Sequence, residues 1–314
     1  MPAPVNPFDA MSQSISAPQS IVFAVVFALL MLVLTVRVVK GSAPTFCYRV
    51  LALFSAVRVA TFIVRYLVTR AHPTDSDYKT LLIVAGVLVV AGFLFYCEAI
   101  LELLVVWYAG VRGADLSGFQ VQIKRVRHLV LVGISALGIV GAINEVNAVS
   151  DGDTSAYNTA KILRQASGGL FLAVSVLALL AVLAVACLGR AAHSTVRVAP
   201  GAAVLFTMIA AMTVECVYRV WSASTTSGFV VKQTALDVLL VVPELVILIL
   251  FAVLSFDDGD VHFVGTRGKH HRLQQDSPEN GYPLNPGTQL PMGQYQSEYE
   301  QPYGQPYGQP AYGK

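Results

Sequence analysis

Seven stretches of this chain are continuously apolar, and polar residues gather between them. The runs are Ile21–Val36, Phe46–Leu67, Leu81–Val106, Leu129–Ile143, Leu170–Leu188, Ala202–Trp221 and Ala235–Leu254. A membrane-crossing helix needs about 20 mostly apolar residues. The fourth run is short, but His128 to Val146 reaches that length. Strands do not fit, because the runs are long and lack the alternation of a barrel strand. The pattern predicts an all-α polytopic membrane protein with seven transmembrane helices and a disordered C-terminal tail. Residues 1–19 form a polar N-terminal segment, 20–255 the seven-helix domain, and 256–314 the tail.

Composition supports this. Of 314 residues, 55% are hydrophobic and 13% charged, against about 25% charged in a soluble domain. Mean hydropathy is +0.63. A net charge of +2 gives no footprint for nucleic acid. Residues 1–20 carry Asp9 and no Lys or Arg. A secretory signal would want a basic start and a short apolar core, so the first run is expected to be a retained membrane helix. Cys47, Cys97, Cys187 and Cys216 sit in or beside apolar runs without paired spacing. They read as buried apolar residues.

Basic residues orient the chain. With the N-terminus outside, the inner segments hold Arg37, Lys40, Arg49, Arg112, Lys124, Arg125, Arg127, Arg190, Arg197, Arg267, Lys269, Arg272 and Lys314. The outer segments hold Arg70, Lys79, Lys161, Arg164 and Lys232. The tail is then cytoplasmic, and the loop around Asp151 and Asp153 is outside. Plasma membrane and endomembrane both fit. Trp107 with Tyr108, and Tyr218 with Trp221, close two runs as an interface belt would. Gly138 and Ala142, four apart, would let helices approach closely.

The charges inside the runs are the candidate site. A charge at membrane depth costs roughly 2.5–3.5 kcal/mol on insertion scales, so it faces a partner or water. Arg58 and Arg65 are seven apart on one helical face, and so are Asp237 and Glu244. Glu215 precedes Arg219 by four, the favourable order for an intrahelical pair. At about 1.5 Å per residue, Arg65, Glu145, Arg219 and Asp237 fall near the outer interface. Arg58, Glu215 and Glu244 lie deeper. Pro243 frees the carbonyl of Leu239 and predicts a kink beside Glu244. Two readings follow: a ligand or ion site between the second, sixth and seventh helices around a wet cavity, or an ion-pair network that pins the bundle.

A secondary acidic pair, Glu98 and Glu102, lies four apart on the inner half of the third run. It reads as a proton relay or as acids paired to loop bases, with Arg49 a candidate partner. In the loop Val111–Arg127, the bases Lys124, Arg125 and Arg127 suit anionic lipid. Gln-Pro-Tyr-Gly repeats at Gln301 and Gln305 mark the tail as too polar to fold alone. Phosphate-loop, metal-binding and nucleophile-elbow motifs are missing. No catalytic residue, metal or cofactor is assigned, and the chain is not read as an enzyme.

Seven runs invite comparison with G-protein-coupled receptors. The third run ends Val105-Val106-Trp107-Tyr108 and the seventh has Pro243-Glu244-Leu245, so neither receptor signature is there. Another pattern runs through Tyr48-Arg49…Arg58, Lys161…Arg164 to Gly169, and Tyr218-Arg219…Asp237…Pro243-Glu244-Leu245-Val246. Over about residues 20–255 it resembles uncharacterised fungal seven-helix membrane proteins, themselves similar to the fungal lipid-translocating-exporter-like family. The resemblance implies a lipid bilayer partner and handling or sensing of an amphipathic, lipid-like molecule at the polar cluster. The alternative is a receptor or scaffold that signals through inner loops and tail.

Overall fold

The computed structural model describes residues 16–42, 44–71, 76–112, 117–189, 198–224 and 233–254. The chain divides into two units, Met1–Thr266 and Arg267–Lys314, and every described residue belongs to the first. The tail expected to be disordered lies outside the described residues, as do Arg190, Arg197 and Lys232.

The helices are α1 (Ala17–Val39), α2 (Thr45–Val68), α3 (Ser76–Arg112), α4 (Ser117–Asp151), α5 (Thr154–Gly189) and α6 (Val198–Ser224). The last apolar run is α7 (Gln233–Leu236), a π-helical turn (Asp237–Val241) and α8 (Val242–Val253). No strand occurs among the described residues. Six helices are long and apolar enough to cross a membrane, and Val238–Val253 is a shorter apolar helix. The protein is an all-α, multi-pass membrane protein.

Helix α1 shows why water is the wrong solvent. Its buried positions are Ser20, Phe27 and Leu34, one stripe at seven-residue spacing. Ile21, Val22, Val25, Leu29, Leu32 and Val33 are exposed. A soluble monomer does not leave so large an apolar face open, whereas lipid covers it at no cost.

Glycine sets two of the turns. Gly41 and Gly152 each have φ of 70°, a left-handed conformation that only glycine adopts freely. At the first, Ser42 N donates to Arg37 O at 3.1 Å and Gly41 N to Val38 O at 3.1 Å. At the second, Asp153 N donates to Ala148 O at 2.9 Å and Gly152 N to Val149 O at 3.4 Å. These are paired C-terminal closures that satisfy the last helical carbonyls. Asp153 then caps α5, its Oδ1 accepting from Ser155 N at 2.9 Å and Ala156 N at 3.0 Å. The acidic loop is therefore a tight joint between antiparallel helices.

Consecutive helices pack in order from α1 to α6, and α8 closes the bundle against α6 and α1. Helix α3 also touches α5 and α6, which makes it the inner helix. Arg37 Nη2 donates to Ala252 O at 2.8 Å, tying the end of α1 to the last carbonyls of α8. Of the two small residues expected to let helices approach, a Cβ on Gly138 would sit 2.8 Å from Ser167 Oγ, and Ala142 Cβ lies 3.4 Å from where a Cβ on Gly86 would be. Cys47, Cys97 and Cys216 are free and buried as expected, whereas Cys187, also expected to be buried, is free and exposed.

Three further sequence expectations are corrected. Within the stretch Val111–Arg127, α3 runs to Arg112 and α4 begins at Ser117, so Lys124, Arg125 and Arg127 are helical rather than loop residues. Lys161 and Arg164, expected between helices, lie on α5. The reason is length. Helices α3, α4 and α5 have 37, 35 and 36 residues, more than 50 Å at about 1.5 Å per residue, against a hydrocarbon core of about 30 Å. Their polar ends project beyond that core, and apolarity reports only the part inside it. Third, Trp107 is no interface anchor. It is fully buried, in a slot where a Cβ on Gly201 would lie 2.6 Å from its Nε1. Trp221, 46% exposed, remains free to reach an interface.

Candidate functional site

Helix α2 brings one charge to the centre of the bundle. Its other polar groups there are spent locally: Ser55 Oγ donates to Leu51 O at 2.9 Å and Thr61 Oγ1 to Val57 O at 2.8 Å. Arg58, 1% exposed, must find partners on other helices. Its Nε donates to Glu244 Oε2 at 2.8 Å, and its Nη2 donates to Glu244 Oε1. This is the two-pronged pairing for which a guanidinium is shaped. Glu244 lies directly after Pro243, where the π-turn passes into α8.

The network continues onto α6. Glu215 Oε1 lies 3.9 Å from Arg58 Nη2. It accepts from Arg219 Nε at 3.1 Å and Nη2 at 2.7 Å. Arg219 Nη2 also reaches Val89 O on α3 at 3.4 Å. Glu244, Arg58, Glu215 and Arg219 thus form one chain of charge across α8, α2 and α6, which the carbonyl of Val89 joins to α3. Two cations offset two anions, so the desolvation of each is partly repaid by its neighbours.

Aromatic rings from α2 and α3 line this chain. The Arg58 guanidinium stands 5.2 Å from the Phe54 centroid, and that of Arg219 stands 4.2 Å from Phe93. Tyr96 packs on both rings, 5.4 Å from Phe54 and 5.7 Å from Phe93. Gly92 packs against the arginine: a Cβ there would touch Arg58 Cζ at 3.5 Å, ordinary van der Waals contact, and leave no room for a longer side chain. Two polar atoms in this setting have no partner, Glu215 Oε2 and Tyr96 Oη. Both residues are 0% exposed. A buried polar atom left unpaired costs about 1–3 kcal/mol.

The expected kink beside Glu244 takes a specific form. Pro243 has no N–H to give to Leu239, and its ring would crowd that carbonyl. The chain answers with the π-turn Asp237–Val241, a wider winding that absorbs the break. The π-turn ends just before Pro243 and Glu244.

The structure unites Arg58, Glu215, Arg219 and Glu244 from the expected cluster. Arg65 is buried, two turns along α2 from Arg58. Asp237 starts the π-turn, and its side chain lies outside the described residues. Glu145 pairs instead with Arg164 on α5. The expected wet cavity is not open at the cluster, since Arg58, Glu215 and Glu244 are at most 1% exposed. A cavity of about 410 Å³ lies elsewhere, at the α4–α5 joint, lined by Asn144, Asn147, Asp151, Asp153, Ser155 and Thr159 among others. Its lining shares nothing with the charge chain, and the buried charges carry the stronger chemical argument.

The second acidic pair has partners other than Arg49, which is exposed. Arg127 Nη2 donates to Glu98 Oε1 at 3.3 Å and to Glu102 Oε2 at 2.5 Å. Lys124 Nζ donates to Glu102 Oε1 at 3.2 Å, and His128 Nδ1 lies 3.0 Å from Glu98 Oε2. These bases stand on α4, which runs alongside α3 because it starts so early. Arg125 is left exposed.

Tyr96, Phe54 and Phe93 were not singled out in the sequence. The one trace of them is Gly92-Phe93 followed three residues on by Tyr96, which puts a gap and two rings on neighbouring positions of one helix. No group of three or more His, Cys, Asp or Glu able to hold a metal occurs among the described residues. No family model, curated protein or solved structure matches the chain.

Proposed function

We propose that this chain is a seven-span, non-enzymatic membrane protein that handles or senses an amphipathic, lipid-like molecule at the Arg58–Glu244–Glu215–Arg219 chain. The segment α7 to α8 is the seventh span. The N-terminus is outside and the residues after Leu254 are cytoplasmic, in the plasma membrane or an endomembrane. The charge distribution supports this orientation: Arg37, Lys40, Arg49, Lys124, Arg125 and Arg127 gather at one end of the bundle. The resemblance to fungal lipid-translocating-exporter-like proteins points the same way.

The observation that carries the reading is the unpaired Glu215 Oε2 inside an otherwise neutralised cluster. A network whose sole role is to hold helices together gains nothing from an unsatisfied carboxylate oxygen at 0% exposure. An amphipathic ligand would supply the missing donor. The test is reconstitution in vesicles with a panel of amphipathic cargoes, scoring bound or translocated molecule. Binding or transfer that disappears in Glu244→Gln supports the proposal. No cargo bound or moved by the folded protein would overturn it.

A second reading has its own observation. The closed burial of all three central charges favours a purely structural ion-pair network. In that case Glu244→Gln changes unfolding and leaves every cargo assay at background.

A further inference from the structure

We propose that the cavity at the α4–α5 joint binds a neutral, polyhydroxylated ring the size of one sugar unit. This site goes beyond the proposed function and shares no residue with it. The cavity encloses about 410 Å³, within the range of about 300–1,000 Å³ common for small-molecule sites. Two helices make its walls. Asn144, Asn147 and Asp151 stand three, then four residues apart on one face of α4. Ser155 and Thr159, four apart, line it from α5. Ala148 and Ala156 also border the space, and their methyl groups are too short to fill it.

The open polar groups select the ligand. Asn144 and Asn147 are half-buried, and neither carboxamide has a hydrogen-bond partner among the described residues. Each offers an acceptor oxygen and a donor N–H₂ group. The other groups are partly spent. Asp153 Oδ1 caps α5 through Ser155 N and Ala156 N. Asp151 Oδ1 lies 3.7 Å from Lys79 Nζ, and Thr159 Oγ1 donates to Ser155 O at 3.1 Å. What stays open is mixed: amide donors beside amide and carboxylate acceptors. A ligand that serves both kinds must itself donate and accept, as vicinal hydroxyls do. An anion such as phosphate would stand against Asp151 and Asp153. An ammonium only donates and would leave the amide N–H groups unserved. A bare divalent cation wants about 6–8 oxygens converging at about 2.3–2.6 Å, and would occupy a small corner of this space.

The experiment uses the full chain in phosphatidylcholine nanodiscs, prepared without glycoside detergent because that would compete. The probes are methyl glucoside, methyl mannoside and methyl galactoside, with ethanolamine as a cationic control. The readout is magnetic saturation transferred from protein to probe, and calcium ion and inorganic phosphate are added as competitors. At least one neutral ring is expected to take up saturation with a Kd of about 1–10 mM. Ethanolamine should take up none, and neither ion should displace the ring. Asn144→Leu and Asn147→Leu keep the side-chain size and remove the amide. Each should raise that Kd about tenfold at an unchanged unfolding midpoint, the loss of hydrogen bonding at one residue. Should both asparagine variants unfold early, Ser155→Ala on the facing wall carries the test, with a rise of about threefold expected.

Saturation of ethanolamine in preference to every neutral ring would overturn the assignment, as would displacement of the ring by calcium or phosphate. So would a ring Kd that stays the same in every folded variant. No transfer to any neutral ring removes the proposal outright. A second arm reads the source: the methyl glycoside that binds is competed against its own glycolipid placed in the nanodisc. Displacement makes the natural ligand a lipid head group, and no displacement makes it a free sugar. The asparagine-dependent signal supports the cavity in both cases.

Discussion

Two charge clusters meet adjacent stretches of α3. At Gly92–Tyr96 the helix lines the chain Glu244–Arg58–Glu215–Arg219. At Glu98–Glu102 it meets Lys124, Arg127 and His128 of α4. Each cluster sets acids against bases at similar distances. They differ in water. Arg58, Glu215 and Glu244 are at most 1% exposed. In the other cluster the side chains of Lys124 and His128 are 45% and 58% exposed. A charge that loses its partner in the first has nothing to turn to. In the second, Lys124 and His128 can turn outward to solvent or lipid head groups, while Glu98, Glu102 and Arg127 stay mostly buried. The comparison teaches that burial, rather than the number of ion pairs, sets what a broken pair costs.

The largest effect should come from stranding a buried charge. Arg58→Ala leaves Glu244 without its fork, and unfolding in detergent should register a loss of about 3–5 kcal/mol. The double variant Arg58→Met/Glu244→Leu, which removes both charges, should recover most of that loss. If it remains as unstable as the single variant, the pair contributes more than mutual neutralisation. Next come two intermediate cases, one from each region. Gly92→Leu drives a side chain into the space held by Arg58 and should cost about 1–3 kcal/mol by overpacking. Arg127→Ala removes the base shared by Glu98 and Glu102, each at least 84% buried by side chain. Its cost should also be about 1–3 kcal/mol, reduced by the nearby Lys124. The smallest effect is Lys124→Ala. Its half-exposed ion pair should contribute less than about 1 kcal/mol, and the difference should shrink further in 1 M salt. A Lys124→Ala loss as large as that of Arg58→Ala would erase the distinction between the regions.

The fold was readable where chemistry is one-dimensional. Long apolar runs announce helices because lipid tolerates no unsatisfied backbone. The ends were hidden because α4 crosses from lipid to water without a break, and Lys124 to Arg127 look like loop residues until a helix carries them. The same blind spot sent Glu98 and Glu102 to Arg49, since the early start of α4 is what brings Lys124 and Arg127 alongside. In the central site the charges were visible one by one. Arg58 and Glu244 stand out against apolar neighbours, and Glu215–Arg219 follows from helical spacing. Their union is a fact of packing between helices far apart in sequence. Tyr96 had no signal of its own, because a tyrosine in an apolar run looks like any core ring. Trp107 shows the converse. Its place near a run's end suggested an interface, but the partner that decided its fate was a glycine on another helix.

The π-turn has a consequence for register. Its hydrogen bonds skip one residue more than those of an α-helix, so this segment behaves like a regular helix carrying a single-residue insertion. Deleting one residue between Val238 and Val241 would leave the helix beyond in phase, but rewinding the segment as plain α-helix with every residue kept would not. Every side chain beyond it would then rotate by about 100° relative to Gln233–Leu236. With the start of the segment held fixed, Glu244 would swing off Arg58, and Pro243 would come round toward the arginine. The position of one carboxylate at the centre of the bundle is thus written as a phase offset in the backbone, several residues before the carboxylate itself.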